Sequence, residues 1–367
     1  MINFNNKPLS HLLVKSGVLT LCCYLIAGIP GVVTVALMFW LSRQTFAVDS
    51  HEKHGISHQQ ASRLGGIAVA FGSISIYWLV IMLNLPISTS TSGLSSSPIV
   101  WCSLIIGLLG LLDDLTGGLS ALVRIAVATF VFAWCLFLMP EVVPEKIGIF
   151  IIDGMMDWRP IAYLLTLFVC IGLLNATNMA DGANGLMPLV FMGSFYAYML
   201  ISGELLYLAV SMSLLIFTLF NVLSGRLFLG DAGSYGLGAL AALGAMQLVA
   251  DGEASIWLLL CLAAYPVIDF FVSCVRRLLD GRSPLSADSD HLHNRLYRSY
   301  RQWLPTPLLA NSAAGLSISL VTTGVSLWIL MYWSAISSNW IFLFLCYIGV
   351  YALVFWWLAS CCKLDKD

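Results

Sequence analysis

Long apolar segments with almost no charged residues recur along this chain, and they constrain its fold more than any other feature. Most have about the 20 residues that a helix needs to cross the hydrocarbon core of a bilayer. They occupy 17–41, 65–85, 98–112, 119–140, 160–176, 185–202, 205–223, 233–250, 255–275, 306–332 and 340–360. The sequence therefore predicts an all-α, polytopic membrane protein with about eleven transmembrane helices.

The composition excludes a soluble globular protein. Hydrophobic residues make up 59% of the 367 residues and charged residues only 10%, whereas a soluble domain carries about 25% charged residues. The formal net charge of −2 gives no sign of a nucleic-acid partner. The ten cysteines lie in apolar runs without a zinc-binding spacing, which indicates neither a disulfide framework nor a zinc site. We expect one membrane domain over 1–367.

Lysine and arginine indicate the orientation, because cationic loops stay on the cytoplasmic side of a membrane. With the N-terminus outside and the spans alternating, thirteen of the 17 lysines and arginines fall on the inner side. The sequence therefore predicts an outer N-terminus and a cytoplasmic C-terminus. The predicted cytoplasmic loops are 42–64, 113–118, 177–184, 224–232 and 276–305.

Acidic, amide and imidazole side chains collect at the cytoplasmic ends of several predicted helices. The clusters are Asp113 with Asp114, the stretch from Asn175 to Asn184, Asp231, and His291 with His293. Ionisable residues at membrane depth are costly and are usually functional. Oxygen ligands without cysteine suit Mg²⁺ or Mn²⁺, and Mg²⁺ commonly binds one or two carboxylates together with substrate phosphates. The set predicts phosphoryl transfer on a nucleotide substrate at a membrane surface.

Each cluster also has a simpler explanation. Asp113 and Asp114 could cap a helix end, and Asn-Gly or Asp-Gly pairs are typical of turns. His291 and His293 could be solvated loop residues, and the arginines of 276–301 could simply follow the positive-inside rule. Four clusters that are separated in sequence but share one membrane face favour a common site over these separate explanations.

The ordered motifs resemble those of the polyprenyl-phosphate N-acetylhexosamine-1-phosphate transferases. The resemblance extends from about Arg63 to Arg295 and is carried by the following motifs: Arg63-Leu64-Gly65-Gly66, Asp113-Asp114, Asn175–Leu186, Phe228–Ser234 and His291-Leu292-His293. It implies that a cytoplasmic UDP-N-acetylhexosamine gives its sugar 1-phosphate to undecaprenyl phosphate and releases UMP. It also implies a bacterial inner membrane location.

The resemblance implies a role for each matching residue. The implied catalytic residues are Asp113, Asp114, Asp181, His291 and His293. The implied substrate-binding residues are Arg63, Asn184, Asn221, Phe228 and Arg295. Asn178 and Asp231 would hold the metal, which we expect to be Mg²⁺, with Mn²⁺ as an alternative. Expected partners are the UDP-sugar, undecaprenyl phosphate and the lipid bilayer, and the wide apolar surface is compatible with a homodimer.

Three positions depart from the family pattern. Asn184 stands where the family has a second aspartate in its long signature, and Ser289 and Asn294 stand where arginine and histidine commonly flank the histidine motif. These departures predict altered sugar recognition rather than lost catalysis. The short His-x-His form resembles the transferases that initiate surface polysaccharides such as O-antigen, which favours UDP-GlcNAc or a deoxy relative as the donor.

Other functions remain open at this point. Within the family, the alternative is the phospho-MurNAc-pentapeptide transferase that makes the first lipid intermediate of peptidoglycan. A secondary transporter would also place charges among many helices, but it usually holds substrate near the bilayer midplane and often has repeated halves. A CDP-alcohol phosphotransferase would need closely spaced aspartates on paired helices. A non-catalytic scaffold would keep the fold without the reaction.

Overall fold

The computed structural model describes residues 27–44, 47, 61–82, 97–283 and 290–364. Several predicted features lie outside these residues: positions 17–26 of the first span, 83–85 of the second, the loop residues 45–60 apart from Ala47, and 284–289 with Ser289.

The described chain is helical. A π-helical turn at Ala27–Gly31 leads into the first helix. The α-helices are α1 (Val32–Leu41), α2 (Gly65–Met82), α3 (Pro98–Thr116), α4 (Ala121–Leu138), α5 (Phe150–Met156), α6 (Arg159–Ala180), α7 (Leu186–Ser202), α8 (Leu205–Ser224), α9 (Gly230–Ala250), α10 (Ile256–Leu262), α11 (Ala264–Leu279), α12 (Leu292–Tyr300), α13 (Pro307–Ser319), α14 (Val325–Leu330) and α15 (Trp340–Leu364). A second π-helical turn, Leu320–Gly324, joins α13 to α14.

Within the described residues, eight helical stretches are long and apolar enough to cross a membrane. They are α2, α3, α4, α6, α8, α9, the stretch Pro307–Leu330, and Trp340–Ser360 of α15. The pair α10 and α11, bent by 84°, gives a ninth if it is one span, and two shorter apolar helices fall on the remaining predicted segments. A multi-pass all-α membrane fold is confirmed, while the count of eleven and the orientation stay predictions.

Four of the predicted loops are partly helical, which corrects their boundaries. In 224–232, α9 already begins at Gly230, and in 276–305, α11 extends to Leu279 and α12 occupies Leu292–Tyr300. The helix α3 continues to Thr116, so Asp113 and Asp114 lie in its last turn and not in a loop 113–118. It ends there because Gly117 adopts a left-handed φ of 64°, the usual helix stop. In the same way, α6 runs to Ala180 and includes Asn178, which had been expected in the loop 177–184. Protein groups bond to Asp113 Oδ2, Asp114 Oδ2 and Asn178 Nδ2, so the helices need not end before these residues.

Small residues bring α9 against α2 and α3 at the centre of the fold. The Cα atoms of Gly107 and Gly236 face one another, and so do those of Gly66 and Gly233. Of the α9 span, 78% is buried inside the protein, against 17% of the α15 span. Such close contact between backbones is how helices associate in a membrane, where lipid tails are as apolar as leucine. The packing fixes the end of α9 that carries Asp231.

Candidate active site

Asp113 of α3 and Asp231 of α9 meet at one arginine. Arg124 Nη1 lies 2.7 Å from Asp113 Oδ2 and 3.6 Å from Asp231 Oδ2. Asp113 also accepts a hydrogen bond from the backbone N–H of Leu119 at 3.0 Å. The loop between α3 and α4 therefore turns back on the end of α3, and the Arg124 cation offsets the repulsion between two adjacent carboxylates.

Asp114 joins α3 to the start of α9. Its Oδ2 accepts a hydrogen bond from the backbone N–H of Ala232 at 2.9 Å, and its Oδ1 lies 3.9 Å from Arg63 Nη1. A carboxylate at a helix N-terminus is favourable because it accepts from an N–H that has no partner within the helix. Gly230 makes this approach possible: it has a φ of 69°, and a Cβ there would collide with the Arg63 carbonyl oxygen.

The segment that leads into α9 pairs in parallel with the segment that leads into α2. Ser62 pairs with Leu227, Phe228 donates its N–H to Ser62 O at 2.9 Å, and Gly65 donates to Phe228 O at 2.9 Å. Arg63 and Phe228, both predicted substrate-binding residues, therefore lie on paired segments beside the carboxylates. Phe228 is partly exposed.

Asn178 extends this cluster onto α6. Its Nδ2 donates to Asp231 Oδ1 at 2.8 Å and to Ser234 Oγ at 2.9 Å. Asp181 lies one turn further along the chain, at the position that ends α6. The predicted metal-holding pair is therefore in direct contact, and Asp181 follows it within about one helical turn of 5.4 Å.

The two histidines reach the same region from the other side. Gly182 lies directly against His293 Nε2, so closely that a Cβ at this position would collide with the ring. His291 and His293 have parallel rings with centroids 5.4 Å apart. They are 6% and 2% exposed, so they are buried groups rather than the solvated loop residues of the simpler explanation.

The side chains present fit the Mg²⁺ that the family resemblance implies. Asp113, Asp114 and Asp231 bring together three carboxylates, and the nearby guanidinium groups of Arg63 and Arg124 leave negative charge in excess. The Asp231 side chain is the most open of the three, 22% exposed against 9% and 0%. Among the described residues, no group of three or more His, Cys, Asp or Glu could hold a metal alone. Mg²⁺ commonly binds one or two carboxylates together with substrate phosphates.

Two of the predicted substrate-binding residues form hydrogen bonds between segments of the protein. Asn221 accepts from the Gly185 N–H at 2.7 Å and donates to Leu227 O at 2.8 Å. Asn184, 3% exposed, uses its N–H to bond Asn311 Oδ1 at 2.9 Å. Both residues hold together the segments that carry the site, and their contact with substrate stays a prediction.

Arg295 is bound within the protein. Its guanidinium forms a bidentate pair with Asp290 at 2.7 and 2.6 Å and stacks 3.7 Å from the Phe355 ring centroid. This pairing holds the pKa of Asp290 below its usual range, with help from Arg276 and Arg298. Arg295 therefore anchors the histidine motif to α15, and its predicted role in substrate binding stays a prediction.

The site contains two ionisable residues that the sequence analysis had not assigned to it. Arg124 had been counted only among the cations that set the orientation, although it binds Asp113 and lies beside Asp231. Asp269, inside a predicted span, accepts from His291 Nδ1 at 2.6 Å. An acid within an apolar segment is itself a sign of function, so Asp269 could have been found. Arg124 gave no such sign, because the positive-inside rule already explained it.

Comparison with known proteins finds similar sequences. The profile of glycosyl transferase family 4 matches residues 97–249. A probable undecaprenyl-phosphate N-acetylglucosaminyl 1-phosphate transferase of Bacillus subtilis is 28% identical over 265 residues, covering 68% of this chain and 69% of that protein. A decaprenyl-phosphate N-acetylglucosaminephosphotransferase of Mycolicibacterium smegmatis is 26% identical over 288 residues, 68% of each chain. These similarities support the resemblance of the chain to the polyprenyl-phosphate N-acetylhexosamine-1-phosphate transferases.

These similarities agree with the resemblance read from the motifs. They support a membrane-embedded sugar-phosphate transferase, and the reaction shared by the similar proteins is sugar 1-phosphate transfer to a polyprenyl phosphate. A phospho-N-acetylmuramoyl-pentapeptide-transferase of Streptococcus thermophilus is also similar, 28% identical over 226 residues, covering 55% of this chain and 64% of that protein. Similarity to these proteins therefore does not identify the sugar.

Proposed function

We propose that this transferase moves N-acetylhexosamine 1-phosphate from a UDP-sugar to undecaprenyl phosphate at the cytoplasmic face of a bacterial inner membrane. The observation that carries the proposal is the meeting of Asp113, Asp114 and Asp231 at the N-terminus of α9, with Arg124 and Asn178 in contact. Carboxylates can hold a metal ion and arginines can offset phosphate charge. At the end of the helices, both groups can be reached by a UDP-sugar from water and by a lipid phosphate from the membrane.

The reaction can be written as a single displacement at phosphorus, without a covalent enzyme intermediate. An oxygen of the lipid phosphate attacks the phosphorus that bears the sugar, a new P–O–P bond forms, and the bond to the α-phosphate breaks to release UMP. Asp231 and Asn178 would hold Mg²⁺ on the diphosphate, where the cation supplies charge neutralisation. Asp113 or Asp114 would orient the lipid phosphate or accept its proton, and Arg63 and Arg124 would offset charge on the approaching anions.

The donor is argued from the histidine motif and from the relatives. The B. subtilis and M. smegmatis proteins are named for N-acetylglucosamine, and the His291-Leu292-His293 form lacks the flanking histidine. Both favour UDP-GlcNAc or a deoxy relative, and initiation of O-antigen or a related surface polysaccharide. The similarity to the S. thermophilus enzyme favours UDP-MurNAc-pentapeptide as the second candidate donor.

A donor panel separates these candidates. Purified protein in lipid nanodiscs with undecaprenyl phosphate and Mg²⁺ would receive UDP-GlcNAc, UDP-FucNAc, UDP-QuiNAc or UDP-MurNAc-pentapeptide, and mass spectrometry would identify the lipid-linked product. We expect a lipid diphosphate sugar from UDP-GlcNAc or a deoxy relative. A product from the muramyl-pentapeptide donor alone would instead support the peptidoglycan enzyme. No product from any donor would contradict the transferase proposal and support the scaffold.

A further inference from the structure

A second layer of polar side chains lies beneath the two histidines, deeper in the protein. Asp269 on α11 is 1% exposed, and its Oδ2 lies 2.6 Å from His291 Nδ1. Tyr265, one turn earlier on the same helix, places its hydroxyl 2.7 Å from His293 Nδ1. Each imidazole is therefore held through the same ring nitrogen by a different residue of α11.

The remaining oxygen of Asp269 is fixed by two further donors. Its Oδ1 accepts the Tyr351 hydroxyl at 2.7 Å and the backbone N–H of Leu292 at 3.2 Å. Tyr351 lies on α15 and Leu292 opens α12, so three helices converge on one carboxylate. A buried carboxylate is tolerated when its oxygens accept hydrogen bonds in this way.

We propose that Asp269 is a positioning residue that keeps the side-chain proton of His291 on Nδ1 and so makes Nε2 its basic nitrogen. A carboxylate only accepts hydrogen bonds, so the imidazole nitrogen facing it must carry hydrogen. The tautomer of a histidine follows from the bond that its other nitrogen makes. The kinetic consequence rests on the proposed function, in which His291 lies beside the diphosphate or sugar.

The substitution Asp269→Asn tests this role because the local donors dictate its orientation. The backbone N–H of Leu292 can only donate, so it requires an oxygen at the Oδ1 position, and the Tyr351 hydroxyl can continue to donate to that oxygen. The amide NH₂ of the variant must then face His291 Nδ1, which forces that nitrogen to accept and moves the ring proton to Nε2. The same exchange in a Ser-His-Asp triad preserves the geometry but gives the wrong tautomer.

Ser273→Ala is the matched control. The Ser273 hydroxyl lies 3.3 Å from the same His291 nitrogen, but a hydroxyl can donate or accept and so does not dictate the position of the proton. Nitrogen-15 spectra of histidine-labelled protein in nanodiscs report the tautomer directly. The chain has six histidines, and His291→Gln identifies the signal of His291.

We expect a proton on Nδ1 of His291 in the wild type and in Ser273→Ala, and a proton on Nε2 in Asp269→Asn. We also expect Asp269→Asn to lower kcat by roughly 100- to 10,000-fold, with KM for both substrates within about twofold. A purely structural role would instead lower the thermal midpoint and the yield of folded protein.

The results separate this inference from the proposed function. A His291 tautomer that Asp269→Asn leaves unchanged, or a kcat that it leaves unchanged in an active transferase, would overturn the positioning role alone. If the wild type transfers no sugar phosphate from any donor, the proposed function fails, while the nitrogen-15 spectra still decide whether Asp269 sets the proton of His291.

Discussion

Arg124 is the single residue on which the charge balance of the candidate active site depends most directly. One of its nitrogens lies between Asp113 and Asp231, so Arg124→Gln would leave two neighbouring carboxylates without their shared cation. We expect the transferase rate to fall by about 100-fold or more, the range seen when a preorganised electrostatic partner is removed. Arg124→Lys should keep part of the activity, because a lysine retains the charge but not the planar geometry.

The control for Arg124 is Arg226→Gln, since Arg226 is an exposed cation on the segment that leads to α9. Its rate should stay within about twofold of the wild type. Equal losses in Arg124→Gln and Arg226→Gln would show that net surface charge matters rather than the bridge between Asp113 and Asp231.

Gly182→Ala tests the contact between the segment that follows α6 and the His291-Leu292-His293 motif. A Cβ at Gly182 would meet the His293 ring, and a displaced catalytic group costs roughly 10- to 100-fold in rate. The free energy of unfolding should fall by about 1–3 kcal/mol, because the His293 ring is buried and bonded to Tyr265, so the rate is measured on folded protein. Gly118→Ala is the control, because among the atoms of the described residues only the Thr116 carbonyl oxygen lies within 4 Å of such a Cβ, at 3.7 Å. A rate for Gly182→Ala equal to that of the control would separate His293 from catalysis.

At the scale of helices, the crossing of α3 and α9 sets the position of the carboxylates. In Gly110→Ala the new Cβ would collide with the backbone of Asp231, which cannot move without shifting α9. Overpacking of this kind costs about 1–3 kcal/mol, and the thermal midpoint in detergent should fall together with activity.

The matched control for this helix crossing is Gly172→Ala on α6. A Cβ there meets no atom of the described part of the chain within 4 Å. The gain in helix propensity, up to about 1 kcal/mol, should therefore leave the protein as stable as the wild type or more so. If both alanine variants melted at the same temperature, the close α3–α9 contact would be wrong.

The sequence predicted which segments are helical more accurately than it predicted where each helix ends. Each of the eleven apolar segments overlaps a helix, because about 20 apolar residues have few alternatives to a membrane helix. The ends of α3 and α6 were placed too early because Asp113 and Asn178 look like loop residues. What keeps them helical is their bonding to Arg124 and Asp231, and such partners, distant in sequence, leave no local signal.

The motif pattern predicted the members of the site better than their roles. Asp113, Asp114, Asn178 and Asp231 do come together. Asn221 and Arg295 also lie where the motifs indicated, yet each is bonded to protein groups. A single sequence shows that a polar residue is needed at such a position. It does not show whether the partner is substrate or a neighbouring helix.

At the scale of the whole molecule, the distribution of lysine and arginine predicts which face meets the cytoplasm. Lys146 and Arg226 are both exposed and belong to opposite sides in that topology. A membrane-impermeant maleimide should label Lys146→Cys in intact spheroplasts and Arg226→Cys only after permeabilisation, each measured above the labelling of the native cysteines. The reverse pattern would place the candidate active site outside the cell and contradict a cytoplasmic nucleotide donor.

The most direct measurement is UMP release from UDP-GlcNAc and its deoxy relatives by the purified protein, with undecaprenyl phosphate and Mg²⁺ each present or omitted. We expect release only when both are present, and a loss of about 100-fold or more in Asp231→Asn. Asp251→Asn, at the opposite and exposed end of the same helix, should keep the wild-type rate. Release that persists without lipid phosphate or without a divalent cation, or that survives in Asp231→Asn, would contradict a metal-assisted transferase built on the N-terminus of α9.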